Sequence, residues 1–393
     1  MIDDKKAFRD MLDRYIERYP ELFPSAIEQG YKLHGLLPPS KKMPEVRLRR
    51  IQLNGPNEFS PGPVLTIAPC FVLPYMTGYT DEVEKAMFLH EKFGVPFWGL
   101  TYVFARNDMS WYRLTQNLGG NSVVGTTIKV PTKMPEHLLA DEKHTTLNGQ
   151  PAYVATTVGQ ECVLGVSVVS AADEPSLREA YGHFKREAQQ VQPGYQPQTV
   201  NTDGWRATRL AGTTLFPTII LIRCFLHAFI KVRARCKHLK DDFTQIQAWV
   251  WDIYHAPNPL TFMQQVAAFK TWALLTLPTG PGLTAILKLT AKTPEFIKAY
   301  AHPGAYRTSN MIDRQVEPLA RYLYHTKYFN GHLSSAERTV RAWALAHNFL
   351  PYCPRAKIGQ IYRSPAHQLN GFVYRDNWLE NLLVSASMRG YPA

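Results

Sequence analysis

The chain has 393 residues, of which 45% are apolar and 19% charged. That excludes an intrinsically disordered chain and allows two or three domains with a sizeable core. Forty-four Lys and Arg against 32 Asp and Glu leave a net charge of +12, a surplus that favours a polyanionic partner such as nucleic acid.

The five cysteines, at 70, 162, 224, 236 and 353, are scattered and odd in number. They do not read as a disulfide framework, and a reducing cytoplasm fits them best. The N-terminus, Met1-Ile2-Asp3-Asp4-Lys5-Lys6, leads into no apolar run, so no signal peptide is expected. The uncharged stretch from Thr271 to Leu287 is broken by Pro278, Gly280, Pro281 and Gly282. It reads as two buried pieces around a turn, and no membrane partner is expected.

In chain order, residues 4–18 carry Phe8, Met11, Leu12, Tyr15 and Ile16 at helical spacing. A polar, proline-bearing stretch with the basic run Arg47-Leu48-Arg49-Arg50 follows. Helices are predicted over 81–93, stopped by Gly94 and Pro96, over 97–106, and from a Ser110 cap through Leu118. Three short helices ahead of a basic region fit a helix-turn-helix DNA reader or a plain helical bundle. Strands are predicted at 137–141, 153–158 and 162–169, the last two joined by a Gly159-Gln160-Glu161 loop. A helix bearing Leu177, Ala180, Tyr181, Phe184, Ala188 and Val191 follows, with Asp173 and Pro175 at its start. Strand 199–203, a helix over 205–214 and a buried strand at 218–222 complete an α/β unit, a mixed sheet flanked by helices. Residues 238–300 read as helical, and another helical stretch covers about 310–348.

Two acids end apolar runs in this unit. Asp141 closes His137-Leu138-Leu139-Ala140-Asp141, and Asp203 closes Thr199-Val200-Asn201-Thr202-Asp203 before Gly204, 62 residues on (203 − 141). Carboxylates at strand ends in a basic chain suggest a divalent-metal site acting on a phosphodiester. The bland readings are a helix cap for Asp203 and a surface acid for Asp141. Candidates for a third acid are Glu295, Asp313, Glu317 and Glu337.

Three strings carry a family resemblance. Asn310-Met311-Ile312-Asp313-Arg314, with Pro318 beyond it, resembles the Asn-x-x-Glu-Arg segment that bears the last acid of bacterial insertion-sequence transposases of the DDE type. Thr202-Asp203-Gly204 opens a helix as in that family, and Cys224-Phe225-Leu226-His227 is similar to the Cys/Asp-x-x-His signature of its Mutator-like branch. The resemblance covers about 137–350. It implies a ribonuclease-H-like catalytic domain with Asp141, Asp203 and Asp313 as catalytic residues and ligands of two Mg²⁺ or Mn²⁺ ions. The family usually has Glu at the third position, so Glu317, one turn on, and Glu337 are the alternatives to Asp313.

The resemblance further implies metal-dependent cleavage at transposon ends and strand transfer by 3′-OH attack. It implies double-stranded DNA as partner, a homodimer or larger synaptic complex, and a cytoplasmic, nucleoid-associated location in a bacterium. A nuclease, or an inactive DNA-binding derivative, is the alternative. The organisation expected is an N-terminal helical DNA-binding region over 1–130, a catalytic domain over 131–237, a helical insertion over 238–305, a closing helix over 306–350 and a basic tail over 351–393. The 109 residues between Asp203 and Asp313 are the basis for the insertion. Lys231, Arg233, Arg235, Lys237 and Arg314 are candidate contacts to the DNA backbone. Cys224 and His227, with Cys236 and His238, invite a zinc reading, but irregular spacing within a helix favours a structural Cys–His pair.

Overall fold

The computed structural model describes residues 3–55, 61–357 and 361–390, so Met1, Ile2 and the last three residues of the expected tail lie outside the described residues. The N-terminal part is α1 (Lys5–Arg18) and a small antiparallel sheet, β1 (Tyr31–Leu36), β2 (Arg49–Leu53) and β3 (Val64–Ile67). Asp4 caps α1 by accepting from the Lys6 and Ala7 amides. Phe8 and Leu12 pack on Ile51 and Leu53 of the sheet. The N-terminal region is therefore mixed: part of the polar, proline-bearing stretch, around Arg49 and Arg50, pairs as a strand.

Helices α2 (Thr80–Phe93), α3 (Phe97–Phe104), α4 (Asp108–Leu118) and α5 (Val123–Thr127) follow. Asn107, three residues before the expected Ser110, caps α4 by accepting from the Met109 amide. The main sheet comes next: β4 (His137–Leu147), β5 (Gln150–Gly159) and β6 (Cys162–Val169), then α6 (Glu174–Val191), β7 (Thr199–Thr202), α7 (Arg206–Leu215) and β8 (Ile220–Arg223). Its order is β6-β5-β4-β7-β8, antiparallel through β6, β5 and β4 and parallel from β4 through β8. This is an α/β fold built on a five-stranded mixed sheet flanked by helices.

β4 and β5 extend well past the predicted strands because Asn148-Gly149, both at positive φ, form the tight turn of a long hairpin. The second hairpin turns on Gln160 and Glu161 alone, since Gly159 still pairs with Cys162.

Alternating strand residues feed two cores. Leu138, Ala140 and Leu164 pack under α6 and α7 with Leu177, Phe184 and Ala211. Leu139, Val154 and Val166 face the opposite way, where they meet residues of α2, α4, α13 (Asn310–His325) and α14 (Leu333–Phe349). α2–α5 thus complete the core of the main sheet instead of forming a layer that ends at residue 130. The C-terminal region also joins this core: after α15 (Pro365–Asn370), α16 (Trp378–Ser385) buries Trp378, Leu379 and Leu382 in it. Over their described part, residues 351–393 thus contribute side chains to this core.

Between β8 and α13 lie α8 (Phe225–Cys236), α9 (Asp241–His255), α10 (Pro259–Thr276), α11 (Pro281–Thr290) and α12 (Thr293–Phe296). They share a separate core that runs from Phe225 through Ile246, Phe262 and Phe269 to Phe296. These helices pack together on a core that starts at Phe225 of α8. Among the described residues no helix is long and apolar enough to cross a membrane.

Candidate functional site

β4 and β7 run parallel with His137 beside Thr199, Leu138 beside Val200 and Leu139 beside Asn201. The offset is 62 residues at each pair, the same number that separates Asp141 from Asp203. Carried two residues further, the register sets the two aspartates side by side on the face of Leu139. Asp141 is not at a strand end, as the sequence suggested, but mid-strand, where β4 outruns the shorter β7.

Asp203 lies just past β7 and uses Oδ1 to accept from the Trp205 amide at 2.7 Å, so it also shapes the turn into α7. Gly204 has φ 91, and a Cβ there would stand 2.5 Å from the Arg223 guanidinium. Only glycine allows both the left-handed turn and that cation beside Asp203.

The segment before α13 crosses the carboxyl ends of β7 and β8. Asn201 donates to the Tyr306 carbonyl at 2.8 Å, and the Phe225 amide donates to the Arg307 carbonyl at 3.1 Å. This delivers Ser309 and the first turn of α13 to the site. Ser309 Oγ lies 3.1 Å from Asp313 Oδ2, 3.2 Å from His227 Nδ1 and 3.3 Å from Cys224 Sγ. Cys224 also accepts from the Ser309 amide at 3.2 Å and caps α8 toward the His227 amide at 3.5 Å. The Cys-x-x-His pair is therefore a clamp between the start of α8 and the start of α13. The zinc set does not assemble, because Cys236 ends the helix that Cys224 caps, about 18 Å away, and packs on Gly282.

The electrostatics follow from this convergence. Burial, with the fields of Asp203 and Asp313, pushes Asp141 up to about 6. On the opposite face Glu142 is buried and accepts from Tyr181 at 2.6 Å and Thr208 at 2.7 Å, and desolvation carries it to about 7. His227 rises to about 9, first through its hydrogen bond with Cys224 and then through the fields of Asp313 and Asp141. Burial pushes the Cys224 thiol up, but hydrogen bonds from His227 and Ser309 outweigh it and the net shift is downward. Near neutral pH an imidazolium thus stands close to Asp313 and Asp141.

The alternative acids are placed elsewhere. Glu317 is exposed on α13 and pairs with Arg321 at 2.7 Å. Glu337 accepts from Ser167 and the Val168 amide on β6, the far edge of the sheet. Glu295 pairs with Arg223 at 3.2 Å and Arg209 at 3.8 Å. Among the basic candidates, Arg314 is exposed and lies 3.5 Å from Glu161. Lys231, Arg233, Arg235 and Lys237 are exposed on or just beyond α8. Lys231 and Arg235 follow His227 at four-residue steps, so a cationic stripe leads outward along the helix from the acids. Sequence reasoning missed Ser309, Arg223 and Glu142. Their signals were adjacency to Cys224 and Asp141, and, for Ser309, its place at the start of the helix that bears Asp313.

Among the described residues no three His, Cys, Asp or Glu side chains converge closely enough to enclose a metal ion unaided. Mg²⁺ commonly takes one or two carboxylates and fills its remaining positions with water and substrate phosphate. The Asp141–Asp203 pair offers such hard oxygen donors, and the burial that mainly raises Asp141, together with the fields of Asp203 and Asp313, disfavours a negative charge that a cation would offset. The donor set fits that ion, while the sulfur and imidazole beside it are engaged with one another. No protein-family model and no curated protein matches the chain.

Proposed function

We propose that the chain is a DNA transposase of the DDE type, with aspartate at all three acid positions, acting as a homodimer or larger synaptic assembly on double-stranded DNA. The observation that carries this reading is the register of β4 and β7, which sets Asp203 beside Asp141 while α13 brings Asp313 to the same face. The order strand, hairpin, strand, helix, strand, helix, strand is the one expected of a ribonuclease-H-like catalytic sheet, and a helical unit with its own core interrupts it before the third acid.

Asp141, Asp203 and Asp313 would together hold Mg²⁺ or Mn²⁺. When bound, two such ions supply positive charge at the scissile phosphate and favour loss of a proton from the attacking water. The protein's own residues orient the reaction. Ser309 and the Cys224–His227 clamp fix Asp313, and His227 keeps a positive charge near the acids before substrate arrives. Lys231 and Arg235 would track the DNA backbone away from the cut.

The test is nicking of a DNA duplex that carries the element's end sequence, with and without Mg²⁺. Asp141→Asn, Asp203→Asn and Asp313→Asn are each expected to abolish cleavage, with DNA affinity retained. Cleavage that persists in Asp203→Asn would overturn the site. Activity in Asp313→Asn together with loss in Glu317→Gln would move the third ligand to Glu317. A protein that binds this duplex but never cuts it would be the inactive derivative.

A further inference from the structure

A cavity of about 590 Å³ lies at the start of α2 and the α3–α4 turn. Buried Met43, Leu73 and Leu114 form its floor, and Lys42, Arg106 and Arg113 stand around it. Arg106 is engaged by Glu82 at 3.3 Å and lies over the Trp111 ring. Lys42 and Arg113 are exposed and have no acidic partner among the described residues, so two uncompensated cations face one concave site.

Beside them Tyr75 is held at φ 61 and ψ 21 with 77% of its surface exposed. A non-glycine residue in that conformation costs free energy that its surroundings must supply, and such residues concentrate at functional sites. The result is a bare aromatic face next to two free cations.

The helices around this cavity are those whose spacing suggested a helix-turn-helix. α3 carries no charged residue and exposes Trp98, Tyr102 and Val103, while α4 buries Trp111, Leu114, Thr115 and Leu118 in the core. Neither presents the row of long polar side chains that reads a major groove. Of the polar residues that α4 exposes, Ser110, Arg113 and Asn117 line the cavity, the last two one turn apart.

We propose that this cavity binds a single nucleoside-phosphate unit. The base lies against Tyr75 and the apolar floor, the phosphate sits between Lys42 and Arg113, and the Asn117 amide meets the base edge. The size suits such a ligand, since pockets for small molecules span about 300–1,000 Å³. Stacking on an exposed ring beside cations is the usual means of holding an unpaired base. The unit is either an unpaired nucleotide of a DNA strand or a free mononucleotide. The proposal rests on the nucleic-acid partner of the preceding reading and not on the chemistry of the three aspartates.

The test uses the full chain with a labelled single-stranded 12-nucleotide DNA, AMP and inorganic phosphate as probes. Lys42→Gln and Arg113→Gln are each expected to weaken oligonucleotide binding about tenfold and to lower the slope of log affinity against log salt by about one. Tyr75→Asn, which tolerates positive φ, is expected to weaken binding about tenfold with the slope unchanged. If AMP alone binds with the same sensitivity to these variants, the proposal holds with a free nucleotide as ligand. Unchanged affinity and slope in all three variants overturn it, as does inorganic phosphate binding as tightly as AMP. Photo-crosslinking of a 5-bromouracil oligonucleotide to the unmodified protein needs no variant to fold. It should label the peptide bearing Tyr75, and labelling solely elsewhere counts against the site. The Asp141→Asn protein should bind these probes like the unmodified chain, which separates this test from the cleavage test.

Discussion

Ser309 is where the chemistry of single residues is most concentrated. One hydroxyl reaches Asp313, His227 and Cys224, so it transmits the position of the α8 clamp to the third acid. Partners that orient a metal-binding side chain typically matter by 10–100-fold when removed. Ser309→Ala is therefore expected to slow cleavage by roughly that factor and to shift its Mg²⁺ dependence to higher concentration, with DNA affinity unchanged. Rates equal to the unmodified protein across a Mg²⁺ titration would disconnect Ser309 from Asp313. The sequence pointed to Asp313 and the Cys-x-x-His pair through their motifs. For Ser309 the sequence signal was weak, its place ahead of the helix that bears Asp313, and its three partners are what distinguish it.

At the scale of elements, the question is how a separate helical unit stays in register with the sheet. Glu295 on α12 reaches Arg223 at the end of β8 and Arg209 on α7, and Arg223 in turn lies against Gly204 beside Asp203. A partly buried carboxylate bridging two guanidiniums from different elements is a junction, not a surface ornament. A double-mutant cycle on Arg223→Ala and Glu295→Ala is expected to give a coupling of about 1 kcal/mol in denaturant unfolding, with each single variant also slowing cleavage. Strictly additive effects would remove the junction. The tip of the β4–β5 hairpin plays a similar part for α13: Asn148 and Gly331 exchange two hydrogen bonds, at 2.7 and 2.9 Å, and so pin the α13–α14 connection. The Asn148-Gly149 turn was missed, because the strand prediction stopped at Asp141, where charged and polar residues follow. Those residues lie on a strand that has outrun its parallel neighbour, which periodicity alone does not reveal.

Across the whole molecule, buried titratable groups set how stability depends on pH. Burial holds His90 at about 4 and His347 at about 3, while it raises Glu91 to about 8. Glu91 is wholly buried, with Thr115 beside its carboxyl group. For the histidines the unfolded chain binds a proton first, so stability falls as pH drops below about 6.5 toward 4. For Glu91 the folded chain keeps a proton that the unfolded chain has lost, so stability falls as pH rises from about 4.5 to 8. The two windows overlap from about 4.5 to 6.5, and maximum stability is expected toward the upper end of that overlap, near pH 6, where the opposite slopes cancel. Glu91→Gln should leave the acid limb unchanged and raise the melting temperature at pH 9 by roughly 5 °C. Parallel melting curves of both proteins from pH 5 to 9 would refute this origin.

The domain plan shows the same division between chain and fold. The sequence by itself determined most of the main α/β unit, because alternation, caps and turns are local and each strand's inward residues are apolar whatever they pack against. It also determined the identity of two facing acids, since Asp141 and Asp203 share the spacing that β4 and β7 later adopt as register. The tertiary structure decided what local pattern cannot encode. α2–α5 and α16 fill the core of the main sheet, and α8 belongs to the helical unit. The segment through Ser309 carries Asp313 to the aspartate pair, while Glu317 and Glu337 turn to other partners. Most of these depend on which surfaces meet between distant parts of the chain, and that is a property of packing, not of any stretch of sequence.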